Sequence, residues 1–419
     1  MRIGFFLARP AITCAQRRPY AAAGAAEPKS TQGVFGMGNA GKTAVCAAGR
    51  KIWAFVRGDA VLSVSIVLAV VSMFFVPPGP AYVAYIDWDT LALLFSLMAV
   101  VKGFQSEGFF EYIGSGLLKR TRSTRSMAAV LVFLPFFCST VITNDVSLIT
   151  FVPFAVSVLR MARQEALAVP LIILQTLAAN LGSMLTPMGN PQNLYLYAQS
   201  GMGFLQLCGI MLPYVLLSAL CLGGAVLLRR PRPIPALSVE ARPGRAKSLA
   251  WCAAGLLLCL LGIFNLVPDL AVAAVILAAL LFGNRKLLRT VDYALLGTFA
   301  AFFIFIGNLS TIPSFQNFLS GILAGHVVPV SVLASQVISN VPAALLLSGF
   351  TSDWSGLLIG TNLGGLGTLI ASMASLISYK QLAREFPEKK KRYFLWFTVC
   401  NVALLLLLLL EYALLSARG

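Results

Sequence analysis

Two stretches of this chain carry nearly the same polar letters in the same order. Asn180-Leu181-Gly182-Ser183-Met184-Leu185-Thr186 is matched by Asn362-Leu363-Gly364-Gly365-Leu366-Gly367-Thr368. With no gap, Asn190 then meets Ser372, Asn193 meets Ser375, and Tyr197 meets Tyr379. A second pair is Val141-Ile142-Thr143-Asn144 and Val337-Ile338-Ser339-Asn340. These side chains offer neutral oxygens and amides rather than fixed charge. Glycines such as Gly182, Gly189 and Gly364 let a backbone approach a ligand. Where such residues interrupt helices, unwound carbonyls can ligate a cation, and exposed helix N-termini can hold an anion. The substrate-binding candidates are therefore Asn144, Thr186, Asn190, Asn193, Ser339, Asn340, Thr368, Ser372 and Ser375. The coupling-cation candidates are Thr143, Asn144, Asp145, Gly182, Gly189 and Asn190, with Na+ near Asp145 as the candidate metal.

Asp145 stands apart because it is an acid between long apolar arms, and Val341 occupies the matching place in the other copy. A charge at mid-bilayer costs about 2.5–3.5 kcal/mol on insertion scales, so a cation ligand or proton carrier is the expected role. The competing role is an N-cap for the helix that follows. For the neutral set, the competing role is to glue membrane helices together. Duplication of the whole set at chain breaks favours binding.

The surrounding sequence must place these residues in a bilayer. Of 419 residues, 58% are hydrophobic and 11% are charged. That charge content lies well below the roughly 25% of soluble chains. Apolar runs such as Ala60–Val76, Phe204–Leu228 and Phe394–Leu415 approach or reach the roughly 20 residues that span a bilayer. The net charge of +17 sits in short loops between these runs, which sets topology and argues against a nucleic-acid surface. The eight Cys form no CxxC pair, and the single His, His326, gives hydrolytic or zinc chemistry nothing to work with. The chain is expected not to be an enzyme and to need no cofactor beyond a coupling ion, Na+ or H+. Gly36-Met37-Gly38-Asn39-Ala40-Gly41-Lys42-Thr43 spells a P-loop, but it lacks a preceding buried strand and reads as chance in a Gly-rich tail.

Lys and Arg divide the chain. Residues 1–50 form an acid-poor tail, read as a disordered or targeting segment or an over-long start with Met37 as an alternative. Residues 51–228 form a first repeat, the basic stretch 229–248 a cytoplasmic linker, and 249–419 a second repeat. Ser126–Leu159 has basic flanks on both sides and polar residues at its centre, so it reads as a re-entrant hairpin open to the inside. His326–Phe350 has no basic flank and reads as a hairpin open to the outside. The helices break at Thr186–Asn193, within Gly182–Asn193, and at Thr368–Ser375. The expected fold class is an all-α integral membrane protein, an inverted-repeat transporter with about 9–11 transmembrane helices, two re-entrant helical hairpins and two broken helices. Lys102 and Glu411 lie near helix ends and are expected to snorkel.

At these residues the chain resembles the ion transporter superfamily over roughly residues 55–415. That superfamily includes citrate-transporter-like and divalent anion/sodium symporter permeases, with arsenite permeases, NhaD-type sodium/proton antiporters and the melanosomal P protein as relatives. Thr186-Pro187-Met188-Gly189-Asn190-Pro191-Gln192-Asn193-Leu194 is similar to the family's break motif. Asn144-Asp145-Val146 resembles the tip of the arsenite and NhaD-type branch, and Ser339-Asn340-Val341-Pro342 resembles the second tip. The resemblance implies that tips and breaks enclose substrate and coupling cations, and that transport follows an elevator-like movement. The dicarboxylate branch has Ser-Asn-Thr at both tips, which this chain does not, and Ser375 stands where relatives often have Asn. The expected function is a secondary active permease for a small anion such as citrate, a dicarboxylate or an inorganic oxyanion, coupled to H+ or Na+. A Na+/H+ antiporter and an arsenite permease are the alternatives within transport, and a non-transporting membrane protein is the alternative outside it. Expected partners are the anion, the lipid bilayer and a second copy of the chain, in a bacterial inner membrane.

Overall fold

The computed structural model describes residues 60–235 and 241–417. The P-loop spelling at 36–43 and the rest of the tail lie outside the described residues. Among the described residues every regular element is a helix, and the sole β feature is an isolated bridge between Ser123 and Pro233.

The first half runs through α1 (Ala60–Ser72), α2 (Ala81–Tyr85), α3 (Trp88–Ser106) and α4 (Phe109–Leu118). It continues with α5 (Thr124–Cys138), α6 (Asn144–Met161), α7 (Ala168–Gly182), α8 (Pro191–Ser200) and α9 (Phe204–Leu227). The second half holds α10 (Ala246–Ile263), α11 (Asp269–Gly283), α12 (Arg285–Leu288), α13 (Tyr293–Ser310) and α14 (Pro313–Leu323). It ends with α15 (Val327–Ile338), α16 (Asn340–Ser348), α17 (Trp354–Leu363), α18 (Met373–Glu385) and α19 (Lys390–Ser416).

Among the described residues, six helices are long and apolar enough to cross a membrane, or seven if α14 and α15, bent by 111°, count as one span. The expected 9–11 exceeds this because the breaks shorten the pieces. The arm Thr124–Cys138 and the helices Val61–Ser72 and Asp269–Gly283 are apolar but shorter. The arm ends at Cys138 because Ser139 and Thr140 turn their hydroxyls back onto the carbonyls of Phe136 and Phe137. Such back-bonding competes with continued helix.

Contacts between the halves are reciprocal. Helix α1 packs on α13, and α11 packs on α3. Helix α8 packs on α16 and α17, and α18 packs on α6 and α7. Each half therefore places its short post-break helix in the other half's hairpin region. The aspartates capping α3 and α13 pair Asp87 with Asp292, since each accepts from the backbone N–H three residues on. Asp89, the second acid at the start of α3, lies two residues further along.

Glycine sets the closeness of the inner packing. A Cβ on Gly182 would run into the carbonyl oxygen of Phe136, so α7 can lie on α5 only with hydrogen at this position. In the second half a Cβ on Gly364 would stand 2.6 Å from Ser335 Oγ, which brings α17 equally near α15. Small residues at such crossings replace hydrophobic attraction with close van der Waals contact.

Candidate functional site

The first hairpin turns through Ser139–Thr143 and restarts as α6 at Asn144. The Thr143 side chain makes no cap hydrogen bond. Asn144 Oδ1 instead accepts from the Asp145 backbone N–H at 2.9 Å, and Asn340 Oδ1 accepts from the Val341 N–H at 3.0 Å. The two tips thus share one local device. At the second tip Ser339 has φ +74° and ψ 156°, a region that costs a non-glycine residue about 1–3 kcal/mol. The Ala371 carbonyl holds this tip through the Asn340 N–H at 3.0 Å and the Ser339 hydroxyl at 3.4 Å.

Asn180 joins the first tip to the second break. Its Oδ1 accepts from Asn144 Nδ2 at 2.9 Å and from the Ser372 hydroxyl at 3.2 Å, while its Nδ2 donates to Ser375 Oγ at 3.3 Å. Asn362, which matches Asn180 in sequence, donates to Asn193 Oδ1 at 2.7 Å. Position 193 matches position 375, so the two amides reach across to each other's half. All of these residues are buried. The two break threonines are also reciprocal. Thr186 donates its hydroxyl to the Thr140 carbonyl, and Thr368 donates to the Gln336 carbonyl at 3.3 Å. These hydroxyls brace the breaks on the hairpin arms, and Thr368 is exposed.

The halves differ where Asn193 faces Ser375. Asn193 Nδ2 donates at 3.3 Å to the carbonyls of Ser183, Met184 and Thr186, satisfying the unwound backbone of the first break. Ser375 has no amide to do this. Gln336 supplies one from the hairpin arm, donating at 2.9 Å to the carbonyls of Gly364 and Leu366 and accepting the Thr368 N–H at 2.9 Å. Gln336→Ala should lower the melting temperature, because three hydrogen bonds are lost at once and intramolecular hydrogen bonds each contribute about 1 kcal/mol. Adding Ser375→Asn should restore part of the loss by rebuilding the arrangement seen at Asn193. Thermal melts of the two single variants and the double variant in detergent check this, and a double variant no more stable than Gln336→Ala contradicts it.

Several buried polar atoms at the centre have no hydrogen-bond partner. They are Asn190 Oδ1, Asn362 Oδ1, Asp145 Oδ1 and both amide atoms of Gln192, a residue with 0% exposure. Unpaired buried polar groups cost about 1–3 kcal/mol each, so a set of them beside broken helices marks a place where ligand or water completes the bonding. Asn190 Nδ2 is engaged with Ser183 Oγ at 2.7 Å, which leaves its oxygen free. Asp145 lies in the first turn of α6 without serving as its cap. The charges whose fields reach it are Lys102 and Asp292. Lys102 donates to Gln105 Oε1 at 3.1 Å, and Gln105 donates to Thr150 Oγ1 at 3.0 Å on the arm below Asp145. Lys102 is half-buried near the end of α3. Glu411 is half-buried, with its Oε2 buried and unpaired.

Among the described residues no three His, Cys, Asp or Glu side chains gather into a metal site. Beside the side-chain oxygens of Asn190 and Asp145, the cation candidates have backbone carbonyls close by. A Cβ on Gly189 would meet the carbonyl oxygens of Ser183 and Ser139, so that glycine keeps two carbonyls close together. A hard monovalent cation suits such oxygens together with one carboxylate. Thr143, Gly182 and Gly189 stay at the first tip and first break, while Asn144 connects through Asn180 to Ser372 and Ser375. The residues that sequence reasoning passed over are Asn180, Asn362, Gln192 and Gln336. The first two lie inside the duplicated stretch, and the duplication itself marks them.

This is a polytopic all-helical membrane protein whose polar centre is built from helix breaks, the construction of a transporter. A family model described as citrate transporter matches residues 51–351, and the chain belongs to that family. It is 32% identical to the inner membrane protein YbiR of Escherichia coli over 333 residues, 77% of this chain and 88% of that protein. It is 33% identical to an uncharacterized transporter of Methanocaldococcus jannaschii, covering 70% of this chain and 81% of that one. A silicon efflux transporter of Oryza sativa is 32% identical over a shorter part, 32% of this chain and 27% of that protein. The chain is therefore a membrane transporter and not an enzyme.

Proposed function

We propose that the chain is a secondary active permease for a small anion, such as citrate, a dicarboxylate or an inorganic oxyanion, driven by H+ or Na+. In this reading residues 51–228 and 249–419 are inverted repeats, each with a re-entrant hairpin, and the site lies where they meet. The observation that carries it is the crossed amide pair, Asn180 to Ser375 and Asn362 to Asn193, beside orphaned polar atoms of Asn190, Gln192 and Asn362. Neutral amides and hydroxyls bind an anion that arrives with its cation and release it when the cation leaves. Anion and cation then neutralise each other in a low-dielectric centre, which lowers the cost of carrying either alone. The reciprocal helix packing supports an elevator-like movement of the hairpin region against α1, α3, α11 and α13. The likeness to YbiR, an inner membrane protein, supports placement in a bacterial inner membrane.

A second reading, a Na+/H+ antiporter or a permease for arsenite or another metalloid oxyacid, draws on one observation. The unpaired carboxylate of Asp145 has no counterpart in the second half, where Val341 stands. The deciding experiment is uptake by proteoliposomes of labelled citrate, succinate and sulfate under an imposed Na+ or pH gradient. Gradient-dependent accumulation of one anion supports the permease. Failure with every anion, together with Na+-dependent proton efflux, moves the assignment to the antiporter.

A further inference from the structure

Away from the polar centre, a cavity of about 470 Å³ opens between α3, α10 and α11. Its walls include Val100, Gly103, Trp251, Gly255, Ile276 and Leu280. Gly103 and Gly255 make the slot, because added Cβ atoms would stand 2.7 Å from Cys252 Sγ and 2.9 Å from Val100 Cγ2. Trp251 and Phe282, both lining residues, are 74% and 88% exposed and stand at its edges. Polar lining is confined to one end, with Ser106, Glu107, Ser248 and Asn284 near the helix termini.

That end carries a surplus of positive charge. Lys247 precedes the lining residue Ser248, Arg285 and Lys286 follow Asn284, and all three are exposed. None forms an ion pair, because among the described residues the one such pair is Arg160 with Glu385. Glu107, the acid at the mouth, already accepts the Arg245 backbone N–H at 2.9 Å. An apolar slot along membrane helices, ending in cations without an ion-pair partner, has the shape and charge of a site for an anionic phospholipid. Acyl chains fit the slot, and a phosphate headgroup meets the basic end. A soluble anion would find no polar partner in the slot itself.

The geometry points to a structural site for one anionic phospholipid between α3, α10 and α11, independent of which substrate the transporter carries. A lipid held there steadies α10 and α11 on α3, the helix on which both pack. Native mass spectrometry of the purified full-length protein, given phosphatidylglycerol or phosphatidylethanolamine, tests this. Phosphatidylglycerol should be retained with a preference of about tenfold or more, as expected for a headgroup near two or three cations. The triple variant Lys247→Gln, Arg285→Gln, Lys286→Gln should lose the preference. Ala279→Trp, which fills the slot from an exposed lining position, should lose retention of both lipids. Equal retention of the two lipids by the native protein overturns the proposal. So does efficient disulfide formation between two copies of a Phe282→Cys variant without lipid retention, since a second copy would then cover the slot. If Ala279→Trp does not fold, the charge variant still decides.

Discussion

Asn180→Leu should abolish transport while leaving a membrane-inserted protein. The side chain holds Asn144, Ser372 and Ser375 together, with the first on the first hairpin tip and the other two at the second break. Leucine is close in size, so the loss is one of hydrogen bonding rather than volume. Asn144 Nδ2 loses its acceptor, and the hydroxyls of Ser372 and Ser375 lose their partner. Each buried orphan costs about 1–3 kcal/mol, and misalignment of two such groups lowers transport by roughly 100-fold or more. Asn362→Leu should act in the same sense through Asn193, because the contact is reciprocal. Initial uptake rates and thermal melts on the same preparations separate the effects. Gln175 offers a control in the same helix, since its Nε2 braces the Leu131 carbonyl at 2.8 Å and touches neither break. Gln175→Leu should lower stability and spare transport. If Asn180→Leu transports at the native rate, the crossed amides are structural glue and the site lies elsewhere.

How far the sequence led can be judged from these same residues. Duplicated letters located the tips and breaks, because a broken helix in lipid must satisfy its own backbone and so uses Gly, Asn, Ser and Thr repeatedly. In the structure Pro191 opens α8 and Gly201 stands in the left-handed region just past its end. Partner choice was not legible. That Asn180 bonds to Ser375, 195 positions away, depends on how the halves interlock, and no local pattern encodes it. Ser375 stands where relatives often have Asn, which in the sequence bears on the second cation site. The structure shows Gln336 reaching over from the neighbouring arm to satisfy the backbone of the second break, a compensation between residues that do not align. Gln192 was hidden for a different reason. Its letters match a family motif, but only the fold reveals that it is buried with both amide atoms unpaired. Asp145 was conspicuous from the start, because an acid among apolar residues is rare. Its capping role fails because α6 already starts at Asn144, which puts Asp145 inside the first turn with its buried Oδ1 accepting from no backbone N–H.

Asp145→Asn should therefore raise stability and abolish concentrative uptake together. The native carboxylate has a buried Oδ1 with no partner and no ion pair within reach. Burying its charge costs a few kcal/mol in the absence of a ligand, on the order of 2.5–3.5 at mid-bilayer. Asparagine keeps the shape and removes that penalty, so the variant melts higher, the trade-off expected where a group is kept for function. Without the charge, a coupling cation loses its one acidic ligand. Accumulation of substrate against its gradient then falls to background, while exchange of labelled for unlabelled substrate across the liposome wall continues. Lys102→Met supplies the opposite sign. Its positive field reaches Asp145 and competes with a bound cation, so its removal should lower the cation concentration needed for half-maximal uptake. Melting temperature, counterflow and cation titration on the two variants give three independent signs. A lower melting temperature for Asp145→Asn would mark the carboxylate as a structural ligand. Unchanged concentrative uptake would move the coupling ion to the carbonyls kept close by Gly189, at Ser139 and Ser183, without the acid.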